Sequence, residues 1–118
     1  MAKIYDVAGE PTSSLRKRKA ALLEKLSVPR DALRASCVRQ FVTCGKPNCR
    51  CRSGAKHGPF HYLVQCVRSG KTRKFLLKSS DQRQHARTSI AAYAAFQERF
   101  EELSQINTEL LRRGEMVE

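Results

Sequence analysis

The sequence predicts an α+β fold: an N-terminal helix, a cysteine-rich loop with a small antiparallel β-sheet or hairpin, and a long C-terminal amphipathic helix. Three observations predict it. Apolar residues recur at three- and four-residue steps near both ends of the chain, while in its middle they alternate with polar ones. Between them lies a segment rich in Cys, Gly, Pro and Arg, with too few apolar residues to form a core. At 118 residues the chain falls within the ordinary single-domain range, so one domain over residues 1–118 is expected. It would comprise an N-terminal helical arm (1–29), a loop and β-hairpin (30–78) and the long helix (79–114).

Thr12, Ser13 and Ser14 offer a cap to a first helix, whose Leu15, Leu22, Leu23 and Leu26 form the apolar positions and which Pro29 closes. Ser36 to Thr43 alternates Cys37, Arg39 and Phe41 with Val38, Gln40 and Val42, as a short strand does. Phe60–Val67 and Thr72–Leu77, joined by Arg68-Ser69-Gly70-Lys71, read as a β-hairpin. Ser79 and Gln82 then resemble a capping box. Beyond them Ile90, Tyr93, Phe96, Phe100, Leu103, Ile106 and Leu110 follow a helical period up to Gly114.

The chain carries 23 basic and 11 acidic side chains, a net charge of +12. Residues 27–80 hold twelve of the basic ones and a single acid, Asp31, so the excess is concentrated in the middle. Such a block favours a polyanionic partner. No apolar run is long enough to cross a bilayer, and Met1 to Asp6 lack the apolar core of a signal peptide, so the expected location is the cytoplasm. Its reducing conditions keep thiols free for metals rather than disulfides.

Cys44-Gly45-Lys46-Pro47-Asn48-Cys49-Arg50-Cys51 places three thiols within eight residues, and His57 follows shortly after. Zinc takes four sulfur or nitrogen donors in a tetrahedron, and these four can supply them at little loop-closure cost. Gly45, Pro47 and Gly54 allow the turns, and Lys46, Arg50, Arg52 and Lys56 favour thiolates. A zinc-bound loop with Cys44, Cys49, Cys51 and His57 as ligands is therefore expected. Cys37 and Cys66 look like core residues, either of which could replace His57. His61, opposite in strand phase to Phe60 and Tyr62, is a weaker donor, and His85 reads as a surface histidine.

On these motifs the chain resembles a family of small bacterial proteins described as a domain of unknown function. Arg34-Ala35-Ser36, Cys44 to Cys51, His57-Gly58-Pro59-Phe60, Gly70-Lys71-Thr72-Arg73 and Ile106-Asn107-Thr108-Glu109-Leu110-Leu111 carry the resemblance, over about residues 30–113. Ala35 replaces a Gly, Phe60 replaces a Tyr, and Cys37 and Cys66 are additions. The resemblance implies a passenger of mobile genetic elements, near recombinase or transposase genes.

Two function classes follow. In the first, Arg39, Lys46, Arg50, Arg52, Lys56, Lys71, Arg73 and Lys74 present phosphate-binding cations, with DNA expected ahead of RNA. Phe60, Tyr62 and Phe75 could stack on bases but are expected in the core. In the second, the long helix is an adaptor: Phe96, Phe100, Leu103, Ile106 and Leu110 pair in coiled-coil fashion with a second copy or a recombinase or transposase, Asn107 fixing the register. An enzyme is not expected, because the middle of the chain has almost no carboxylates and no nucleophile–base pair, phosphate loop or small-molecule fingerprint. Nor is membrane-surface binding, since the basic block is not one amphipathic helix.

Overall fold

The computed structural model describes residues 4–118, and the sequence reading of Met1–Lys3 lies outside them. The fold is α+β. In chain order it has α1 (Thr12–Lys25), β1 (Ser36–Val42), β2 (His57–Cys66), β3 (Thr72–Leu76) and α2 (Ser80–Arg112), with 3-10 turns at Arg50–Arg52 and Arg68–Gly70. These elements fall into two compact units. One is Leu33–Ala91; the other is formed by the described residues of Met1–Ala32 together with Ala92–Glu118.

In the Leu33–Ala91 unit the strands form an antiparallel sheet in the order β1-β2-β3. The register sets Cys37, Leu63 and Phe75 in one row and Val38, Tyr62 and Leu76 in the next, so the two rows occupy opposite faces. Leu63 and Leu77 are buried with Ala86 of α2, and Leu33, Ala35 and Ile90 pack around them. That contact fixes which face of the sheet is inside. The hairpin turns through Ser69 (φ 64) and Gly70 (φ 74), and Val67 N donates to Lys71 O at 2.7 Å. Two successive positive φ values match the right-handed twist of the strands, which is why a Gly-containing turn stands here.

α2 opens on Ser79, whose Oγ accepts a hydrogen bond from Gln82 N at 3.0 Å. The Gln82 side chain reaches back to Lys78 N (2.7 Å), one residue before the cap itself. The helix closes at Gly114 (φ 78), where Glu115 N donates to Leu110 O and Gly114 N to Leu111 O. α1 starts differently from expectation. It follows Pro11 with no side-chain cap, because Thr12 lies inside the first turn and its Oγ1 accepts a bond from Arg113 Nη1 (3.1 Å). It also ends at Lys25, ahead of Pro29, as Leu26 turns extended.

The core of this second unit is Leu15, Ile106 and Leu110, all fully buried, with Val7, Leu22 and Val117 packed around them. Each of the three contributes about 1.5–3 kcal/mol by leaving water. Leu23, one helical step of 100° from Leu22, is 51% exposed and takes no part. Two of the helix positions expected to meet a partner, Ile106 and Leu110, are thus occupied within the chain. Beside them Glu109 is buried and accepts hydrogen bonds from Arg112 (2.8 and 2.6 Å) and Arg113 (2.6 Å).

Candidate metal centre

The loop between β1 and β2 has no ladder partner to hold it, and its own turns bring its donors together. Cys49 N donates to Lys46 O at 3.3 Å and Arg52 N to Cys49 O at 3.2 Å, folding Lys46–Arg52 into successive tight turns. The Arg52 Nε also donates to Lys46 O. The second turn places Cys51 inside, 3% exposed, where its Sγ accepts a hydrogen bond from Cys44 N at 3.2 Å. The Cys44 and Cys51 sulfurs lie 3.5 Å apart.

His57 arrives from the other side as the first residue of β2, which starts earlier than the expected Phe60. Its Nε2 lies 3.1 Å from Cys49 Sγ. Gly58 makes this approach feasible. Its φ is 133°, and a Cβ there would stand 2.8 Å from Gln40 O and 3.3 Å from Phe41 Cα, at the bulge where the β1–β2 register slips between Gln40 and Val42.

Cys44, Cys49, Cys51 and His57 therefore form one cluster, with a donor atom from each within 4.8 Å of all the others. Three thiols and an imidazole at that spacing could hold a metal ion. Cys37, Cys66 and His61 are not in the cluster. The two cysteines expected in the core are exposed instead: Cys37 stands on an edge strand, and Cys66 sits at the turn end of the hairpin. His61 pairs with Arg39 across the sheet, and His85 is exposed.

The thiols differ in acidity. The Cys51 backbone N–H, helped by hydrogen bonds from Cys44, Cys51 and His57 side chains, draws the Cys49 thiol down from 9.0 to about 6. Burial pushes the Cys51 thiol up. One thiol is thus readily ionised and the other is not, so a metal ion taken up by the cluster would displace a proton from Cys51.

A family model described as a domain of unknown function, DUF6788, matches residues 12–85, more than half of the chain. The chain belongs to this family. The DUF6788 match takes in α1, the cluster, all three strands and the first turn of α2, and leaves out the rest of that helix. No curated protein and no solved structure matches the chain.

The eight cations singled out in the sequence are all exposed. Arg39 lies over the Phe41 ring (5.7 Å), and the Lys74 Nζ donates to Gln40 Oε1 (2.8 Å). Lys46, Arg50, Lys56, Lys71 and Arg73 have no carboxylate partner among the described residues. Two further cations escaped the sequence reading. Burial, then Arg83, Arg87 and Arg39, hold the His61 imidazole below its ordinary value, which brings the first turns of α2 into the basic region. Their four-residue spacing, which puts both on one helix face, was the signal available. Phe60 and Tyr62 are only half-buried and Phe75 is 52% exposed, so none of the three is a core residue. No helix of the described residues is long and apolar enough to cross a membrane.

Proposed function

We propose that the protein is a zinc-stabilised nucleic-acid-binding module and serves as an accessory DNA-binding factor of a mobile element, beside a recombinase or transposase. One observation carries the nucleic-acid part. Leu33–Ala91 holds thirteen basic side chains and a single acid, Asp81, whereas the rest of the chain holds ten of each, so the whole +12 resides in the unit with the Cys/His cluster. Cations without carboxylate partners are available to phosphate, and their gain comes largely from counterion release. Preference for DNA and the link to mobile elements rest on the family resemblance.

Zinc is favoured over other ions by the donor set and its spacing. A tetrahedral site with Zn–S bonds of about 2.3 Å has edges of roughly 3.8 Å; the Cys44–Cys51 and Cys49–His57 donor pairs, at 3.5 and 3.1 Å, are somewhat closer than that, and all four donors lie within 4.8 Å of one another, so small shifts would reach that geometry. Four protein ligands leave no open position for chemistry, so the ion's role is to hold the loop and no enzymatic activity is proposed. Titration of DNA against salt tests the function. Binding should weaken steeply as salt rises, and the double variant Arg50→Gln, Arg52→Gln should reduce the log–log slope by roughly two. Absence of binding at low salt, or an unaltered slope, would overturn it.

A specific observation also favours an adaptor role for the end of α2. Phe100 and Leu111 are 53% and 68% exposed, and beside them the buried Asn107 Oδ1 has no hydrogen-bond partner among the described residues. We read this face as the contact with a second copy, which would cover Phe100 and Leu111. Leu103→Glu should then convert a dimer to a monomer in light scattering without changing metal content. A wild-type chain that is monomeric at high concentration would exclude it.

A further inference from the structure

The two faces of the sheet are chemically unlike. Leu63 and Leu77 are buried against Ala86, while the row of Val38, Tyr62 and Leu76 lies on the opposite face. Phe60, two residues before Tyr62 on the central strand, shares that face, opposite Gln40. None of these residues is buried: Val38, Phe60 and Tyr62 are half-buried and Leu76 is 37% exposed. An apolar face with two aromatic rings at its centre is costly to leave in water unless something lies on it.

Its surroundings indicate what that is. The Lys74 Nζ lies 4.3 Å from the Tyr62 ring centroid. Phe60 lines, with Lys46, Cys49 and His57, the depression at the metal cluster. The rings therefore run between cations of the hairpin and cations of the metal loop, in a unit whose charge is thirteen to one in favour of positive. An acidic helix or strand would satisfy the charges but would leave the flat rings without a flat partner.

We propose that this face is a stacking platform for a single strand of nucleic acid, Phe60 and Tyr62 each taking one base. The inference rests on the nucleic-acid-binding function proposed above and narrows it. Residues two apart on a strand are separated by roughly 6.6 Å, about twice the 3.4 Å rise per nucleotide along a duplex strand. Neighbouring bases on the two rings cannot stay stacked on each other, so the platform fits an extended single strand and not a duplex. Stacking tolerates any sequence, since every base has a π-face. Lys74 now covers the Tyr62 ring; on binding it leaves the ring to the base and turns to the adjacent phosphate.

The chain contains no tryptophan, so Tyr62→Trp creates a sole reporter on the platform. Oligothymidine should quench its emission, and added salt should restore it. In competition, the wild-type protein should bind oligothymidine more tightly than the same strand in duplex with oligodeoxyadenosine. Tyr62→Leu should lower that preference roughly tenfold, and Tyr62→Phe should keep it. Equal binding of strand and duplex, or unchanged Trp emission at saturating oligothymidine, overturns the platform while leaving the basic-unit function intact. Failure of both nucleic acids to bind at low salt overturns the two together.

Discussion

Gly58 links two requirements that no other residue meets at once: a φ of 133° and the space beside Gln40 O, 2.8 Å from where a Cβ would stand. It directly follows a metal-cluster residue, so any backbone shift there moves His57. Gly58→Ala should cost about 1–3 kcal/mol in thermal or denaturant unfolding and weaken metal binding. Unchanged stability and metal affinity would show that the loop can relax around the new methyl. In the other unit, hydrogen bonds from Arg112 and Arg113 hold the Glu109 carboxyl at about 2, against an ordinary 4.5. A depressed folded-state value contributes stability above 4.5, and that contribution is lost as pH falls through 2. Acid titration should therefore destabilise the wild type between those limits, and Glu109→Gln should remove that part of the pH dependence. A variant with the same acid profile would mean that other carboxylates carry it.

At the scale of elements, a metal ion on Cys44, Cys49, Cys51 and His57 would be what ties the Cys44–His57 loop together, whereas the hairpin has the buried Leu63, Leu77 and Ala86 to hold it to α2. Removing metal with a chelator should therefore speed amide exchange in residues 44–57 and leave residues 62–76 protected. Equal loss of protection in both segments would make the metal a determinant of the whole unit. The elements themselves were legible in the sequence, because strand alternation, the Gly70 turn and the 3.6-residue period of α2 are local signals. The cluster was legible too, since its donors are near neighbours in the chain. Burial was not. Cys66, Phe60 and Tyr62 look like core residues by type, yet α2 covers only the Leu63 and Leu77 side of a three-stranded sheet, and Cys37, though in the Leu63 row, stands on the edge strand β1 and is exposed. One helix cannot cover both faces, and which face it covers depends on side-chain packing that period-2 patterning leaves undecided.

Across the whole molecule, charge is sorted by unit. The ion pairs Arg18–Glu10, Arg18–Glu102, Arg16–Glu115, Arg112–Glu109 and Arg113–Glu109 all lie in the unit of balanced charge. The Leu33–Ala91 unit has thirteen cations to repel one another and only a small core, so a zinc ion held by three thiolates and a neutral imidazole, a site of net negative charge, would offset part of that repulsion where cations crowd the loop. The function proposed for it depends on that ion being zinc, held by these four residues. X-ray absorption at the zinc edge of the purified protein tests this most directly. One zinc per chain is expected, with three sulfurs at about 2.3 Å and one nitrogen at about 2.0 Å, and loss of the metal in Cys49→Ser. Four sulfurs around the metal, zinc retained by Cys49→Ser, or no zinc at all would contradict it.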